Sequence, residues 1–197
     1  MTAPSRAVEL WPGRVRAAYT EAFGEDVVVE EGFGPVSVDV PADRWTEALL
    51  LARDGLDCPF LDFLTAVDEW RPPPVAKPVE EGDGGFRVVC HVAGHRPGAV
   101  RHLLVRALLP REEPVLASAV PVYAGARWHE RETHEMFGIV FDGHPDLRNL
   151  YLPGGFEGFP LRKDFPLLSR MVKPWPGIVD VEPMPDEGEA DEEEGEG

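Results

Sequence analysis

Apolar positions along this chain recur first at helical spacing and then at the two-residue spacing of strands. Val15, Ala18, Tyr19, Ala22 and Phe23 share one helical face between Pro12, which can open a helix, and Gly24, which can close it. Asp26–Glu30 and Pro35–Val40 read as two strands joined by Glu31-Gly32-Phe33-Gly34. In the second, Val36, Val38 and Val40 alternate with Ser37 and Asp39, which predicts one buried face. A second helix is predicted from an Asp43 N-cap, with Trp45, Ala48, Leu49 and Ala52 as its stripe and Gly55 as its stop. Residues 60–67 are mostly apolar, the pattern of a buried strand. Phe86–Val92 and Val100–Leu109 predict a long hairpin pair linked through Gly94-His95-Arg96-Pro97-Gly98. From Pro121 a short helical region leads into a charged segment and stops at Gly138, and Ile139-Val140-Phe141 predicts a short strand.

The punctuation between these elements is just as informative. Arg71–Gly85 holds four prolines and three glycines, so it reads as a loop. Beyond Phe141 the periodicity is lost, and Gly and Pro recur every few positions up to Gly177. An irregular chain cannot satisfy its backbone by regular pairing, so this stretch is expected to lie across a partner. The expected fold class is α+β: a two-layer domain with a mixed β-sheet packed by helices, then an extended irregular C-terminal arm. The expected division is a flexible N-terminus over 1–11, the α+β domain over 12–141, a subunit-docking arm over 142–179 and an acidic disordered tail over 180–197.

Charge changes the picture mainly by exclusion. The net charge is −17, but ten of the acids fall within 180–197, where there is no Lys or Arg, so the rest carries only about −7. No basic footprint exists for nucleic acid, and direct adsorption to anionic lipid is disfavoured. No apolar run approaches the ~18 residues of a membrane-spanning helix, and no signal peptide is expected at the N-terminus. Cys58 and Cys90 stand 32 residues apart and outside any CxxC pair. They are expected to be two buried thiols in a reducing compartment, and two cysteines cannot ligate a four-thiolate iron–sulfur cluster.

The candidate chemistry lies in residues 130–167. Glu130, Arg131, Glu132 and Glu135 fall within six residues; His144, Asp146 and Arg148 follow, then Arg162, Lys163 and Asp164. Trp128, Met136, Phe137, Ile139, Phe141, Phe156, Phe159 and Phe165 are interleaved with them. Charge that is partly buried needs defined partners, so this segment looks built to dock. Spacing alone also allows a plainer reading, an exposed charged helix with an Arg131–Glu135 pair. His129 and His134 invite comparison with a zinc-protease helix, but they are five apart, which turns them about 140° around the axis. Gly82-Asp83-Gly84-Gly85 precedes a strand, lacks a P-loop ending, and makes no nucleotide site; Gly32-Phe33-Gly34 sits in a short turn. No FMN site, NADH site or nucleophilic triad can be argued from these residues.

Glu130-Arg131-Glu132, Glu135, His144 and Arg148 at their spacing closely resemble the signature of the 30 kDa subunit family of NADH–quinone oxidoreductase, respiratory complex I. Gly158-Phe159-Pro160-Leu161-Arg162-Lys163-Asp164-Phe165-Pro166-Leu167 resembles that family's second block, usually written GHPLRKDFPL. Phe159 stands where the family usually has His, and Asn149 where Arg or Lys is common. A weaker likeness runs through Phe60–Asp68 and Phe86–Val89, so the resemblance covers roughly residues 15–175.

The resemblance implies a scaffold subunit with no redox centre or catalytic residue of its own. It would brace the quinone-reducing module of a proton-translocating NADH–quinone oxidoreductase, with FMN, iron–sulfur clusters and quinone on partner subunits. It places Glu130, Arg131, Glu132, Glu135, His144, Asp146, Arg148, Arg162, Lys163 and Asp164 at the junction with neighbours, chiefly the large quinone-site subunit and nearby iron–sulfur subunits. Membrane association would be peripheral, on the cytoplasmic side, and indirect. The rival within the group is the equivalent subunit of a membrane-bound hydrogenase or of a quinone oxidoreductase that does not use NADH. A stand-alone metallohydrolase is the remote alternative.

Overall fold

In the computed structural model, residues 11–32, 34–71 and 84–166 are described. The first helix, α1 (Trp11–Phe23), turns Val15, Tyr19 and Phe23 inward at the predicted spacing. β1 (Val28–Glu30) and β2 (Val36–Asp39) form the first antiparallel pair. Between β2 and the next helix, Asp43 does not act as the predicted N-cap. It lies inside a 3₁₀ turn, Ala42–Arg44, whose backbone already closes onto Pro41 and Ala42, and no side chain caps α2 (Trp45–Leu50). The helix then widens into a π turn, Leu51–Gly55, before Leu56.

β3 (Phe60–Asp68), β4 (Phe86–Arg96) and β5 (Ala99–Leu109) complete a mixed five-stranded sheet of order β1-β2-β5-β4-β3. β2 runs parallel to β5, and the other neighbours are antiparallel. The strand expected over 60–67 is present, but it is half-buried rather than buried. β3 is the sheet's edge; Leu64, Ala66 and Asp68 are buried and Leu61 packs against the core, while Phe60 and Val67 are exposed. The β4–β5 hairpin is also longer than predicted. Arg96 pairs with Ala99, so only Pro97 and Gly98 remain in the turn. Proline at the first corner and a glycine with φ 82° at the second suit a tight type II reversal.

Leu64, Ala66, Phe86, Val88, Cys90, Val92, Leu103, Val105 and Leu109 pack on one side of the sheet against Val15, Tyr19, Trp45, Leu49 and Phe137 from the helices. Burying each large apolar side chain is worth about 1.5–3 kcal/mol, so this layer dominates the stability. The buried tyrosines keep their hydroxyls paired: Tyr19 donates to the Ala48 carbonyl and Tyr123 to that of Cys58, both at 2.9 Å. Cys58 and Cys90 are separate buried thiols, and burial pushes Cys58 up to about 11. Opposite-parity residues carry an ion-pair chain, in which Asp39 accepts from both Arg87 and Arg106, Arg87 reaches Glu69 and Arg106 reaches Glu30.

A second, two-stranded sheet was not predicted on one of its sides. β6 (Val115–Ala117) lies parallel to β7 (Val140–Asp142), and α3 (Ala126–Phe137) runs between them in the chain. Leu116 and Phe141 anchor this pair in the core. The compact unit continues through Phe165. The loop over 72–83, the last residues of the expected arm (167–179) and the tail (180–197) lie outside the described residues.

Candidate functional site

The charged segment folds as α3 and a run of turns from Gly143 to Phe165 that returns across it. α3 ends where the sequence places its stop. Gly138 adopts φ 74° and returns its N–H to the His134 carbonyl at 2.7 Å. The absence of a side chain there does a second job. A Cβ on Gly138 would stand 2.6 Å from the Phe159 ring and 2.5 Å from Arg162 Nη2, so the returning chain seats against this glycine.

Three carboxylates organise the site, and each accepts from backbone. Glu135 accepts the N–H groups of Leu150 at 2.7 Å, Tyr151 at 2.9 Å and Leu152 at 3.3 Å. Glu130, fully buried, accepts the Ser118 hydroxyl at 2.7 Å and the Ala119 N–H at 2.5 Å. Burial pushes the Glu130 carboxyl up to about 7 against the pull of those two donors. Asp68, at the end of β3, accepts the N–H groups of Lys163 and Trp70 and a guanidinium N–H of Arg111. Burial acts to raise Asp68, but these donors together outweigh it and hold the carboxyl below its usual value. Asp68 and Arg111 were not among the predicted site residues. The available signal was an acid at core parity after Leu64 and Ala66.

The basic residues answer with carbonyls. Arg131 forks to the carbonyls of Arg148 at 2.8 Å and Asn149 at 2.9 Å, with its guanidinium 5.3 Å from the Trp128 ring centre. Arg162 donates to the Phe137 carbonyl at 2.6 Å and lies between the rings of Phe86 and Phe159. His144 accepts the Asp146 N–H on Nδ1, so Nε2 carries the proton, donates to the Arg127 carbonyl at 3.1 Å and stands 4.0 Å from Glu130. Lys163 reaches the Trp70 carbonyl, and Asp164 pairs with Arg111 at 2.8 Å. Asp146 and Arg148 pair with each other, leaving the Arg148 side chain 78% exposed. Glu132 is half-buried, and no ion pair or hydrogen bond engages its side chain among the described residues.

These contacts correct one expectation about the arm. Its backbone was expected to need a partner surface, but from Leu150 to Lys163 several of its amides are taken by carboxylates of the same chain. All ten predicted residues lie on α3 and this returning stretch. Glu135 and Arg162 are spent holding it in place, while Glu130 ties α3 to Ser118 and Ala119. Tyr151 (65% exposed), Leu161 (54%) and Phe156 (38%) turn outward along the stretch, and Trp128 (59%) does so on α3. His134 donates to the Ile139 carbonyl at 2.8 Å at the helix end.

Residues 38–171 match the family model described as respiratory-chain NADH dehydrogenase, 30 Kd subunit. The NADH-quinone oxidoreductase C subunit of Bordetella pertussis is 35% identical over 158 residues, which is 74% of this chain and 73% of that protein. Its namesake from Brucella abortus is 39% identical over 160 residues, 79% of this chain and 72% of its own. A solved trypsin-resistant fragment (1–134) of Nqo5 superposes with a TM-score of 0.52 at 28% identity, covering 68% of this chain and 99% of the fragment. A chain of an archaeal membrane-bound sulfane sulfur reductase superposes with a TM-score of 0.63 at 21% identity, over 83% of this chain and 88% of that one, a likeness of fold.

Proposed function

This chain belongs to the respiratory-chain NADH dehydrogenase 30 kDa subunit family, and we propose that it serves NADH–quinone oxidoreductase as a scaffold that holds no redox centre. It is a subunit of that enzyme complex by family, and other subunits of the complex are its partners. Among the described residues no helix is long and apolar enough to cross a membrane, consistent with peripheral association. The cytoplasmic side, and the large quinone-site subunit with its iron–sulfur neighbours as the particular contacts, belong to the proposal.

The observation that carries the scaffold reading is the Glu135 clamp. It spends a buried carboxylate on three successive amides and so presents a structureless stretch in one shape. Ordering such a stretch in advance removes an entropic cost from docking. The exposed Tyr151, Phe156 and Leu161, together with Trp128, Glu132 and Arg148, then supply contact surface of the aromatic and arginine kind that anchors interfaces. Two isolated cysteines are too few for a four-thiolate cluster, which supports placing FMN, clusters and quinone on partners.

The test is affinity purification of the tagged chain from detergent-solubilised membranes. Flavin and iron–sulfur absorbance should appear with the co-purified subunits and vanish from the isolated chain. A flavin or iron–sulfur spectrum in the isolated chain would overturn the assignment.

A further inference from the structure

Far along the sheet from Asp68, the β4–β5 hairpin end brings Arg96 and Arg101 onto one face, with Asp57 beside Arg96. The chain entering β3 lies against β4 at Gly94, where any Cβ would collide with the Asp57 carbonyl oxygen. Asp57 itself holds φ 61°, a left-handed backbone that non-glycine residues seldom adopt. The close approach keeps its carboxylate beside the hairpin, 3.6 Å from Arg96 Nε. Arg101, paired with Gly94 across the strands, carries its guanidinium 5.0 Å from the Trp11 ring centre. Its Nη1 is buried and meets no hydrogen-bond acceptor among the described residues. Burial lowers the proton affinity of Arg101, and the positive charges of Arg96 and of Arg14 on α1 lower it further.

A buried guanidinium N–H without an acceptor is a costly arrangement that native proteins rarely leave alone. Arg14 stands one helical turn from Trp11, over whose ring Arg101 lies, and Arg96 shares the face of Arg101 on the hairpin, beside Asp57. Three arginines thus gather beside one aspartate in a chain whose net charge is −17. We propose that Arg14, Arg96 and Arg101 form a binding site for a phosphate-class dianion. Such a ligand complements the gathered guanidinium groups, and its tetrahedral oxygens supply the acceptor that Arg101 Nη1 lacks. It comes either from a free phosphate or phosphomonoester or from a phospholipid headgroup.

The test uses the full chain at low ionic strength, where screening is weakest. Titration calorimetry with inorganic phosphate should show saturable binding at one per chain. Arg101→Gln should weaken it by roughly tenfold or more, as loss of a charge-assisted hydrogen bond does. Arg14→Gln and Arg96→Gln, on exposed side chains, should weaken it without altering the melting temperature. Arg16→Gln, an equal charge change on the same helix in a side chain paired with Glu31, should leave it intact. Co-sedimentation with phosphatidic acid vesicles that depends on Arg101, at free phosphate concentrations that do not compete, identifies the headgroup as the source. Competition by free phosphate identifies the soluble one. Absence of both forms of binding overturns the site.

Discussion

Glu135 accepts the backbone N–H of Tyr151 at 2.9 Å, and through it a helix whose polar face would otherwise be ordinary takes charge of the chain sixteen residues downstream. Because the donors are amides, the clamp is indifferent to the side chains of Leu150, Tyr151 and Leu152. Those side chains are thereby available for other contacts.

Glu135→Ala should free the arm while leaving the sheet and helices folded. Three amides lose a charged acceptor, so chemical denaturation should show a loss of about 2–4 kcal/mol. Limited trypsin digestion should cut faster at Arg148. An unchanged digestion pattern would show that the clamp does not order the arm.

Glu130 predicts an unusual pH dependence. Its folded-state carboxyl titrates at about 7, above the ordinary 4.5, so the folded chain binds more protons than the unfolded one between those values. Stability therefore falls as pH rises from about 4.5 to 7, by on the order of 3 kcal/mol from this group. Glu130→Gln should remove that slope, seen as the difference between variant and parent in urea melts at pH 5 and pH 8. Asp68 works in the opposite sense. Its carboxyl is held below the ordinary 3.8, so its contribution is present above that value and is lost as pH falls through its folded-state value. The two effects occupy separate windows.

Gly138→Ala should cost about 1–2 kcal/mol for the left-handed backbone alone. Displacing the Phe159 ring adds to this, since the new methyl would stand 2.6 Å from it. Phe159→Ala should relieve that second part, so the double variant should be less destabilised than the sum of the singles in thermal melts. Strict additivity would mean that Phe159 does not seat on the glycine.

Arg148→Ala should leave the isolated chain's stability within about 0.5 kcal/mol, because its pair with Asp146 is solvent-exposed. In membranes the same substitution should lower the amount of assembled complex, with near-normal activity in whatever assembles. A variant that assembles fully yet loses quinone reduction would contradict a purely scaffolding role.

What could be read from the sequence was whatever depends on neighbours in the chain. The stripe of α1, the alternation in β2 and the stop at Gly138 each need only a few consecutive residues to declare themselves. Asp43 misled because an N-cap residue and an acid inside a 3₁₀ turn look alike in sequence. β6 was invisible because three residues exist as a strand only through distant β7. The site was half legible. Crowded charge beside aromatics gave away α3 and the arm. Yet the partners of Glu135 and Asp68 are backbone amides, which every residue but proline carries and which leave no mark in a sequence.

The placing of β5 between β2 and β4 also sets a schedule for the nascent chain. β2 cannot find its parallel neighbour until residues 103–106 have been synthesised, so the first hairpin and two helices must wait with one sheet edge open. At about 5–20 residues per second that wait lasts several seconds. The β4–β5 hairpin, local and tightly turned, is the element able to form at once and recruit what preceded it. Truncations that end before Leu109 should therefore yield no soluble half-domain, whereas chains released just beyond β7 already contain every strand of both sheets.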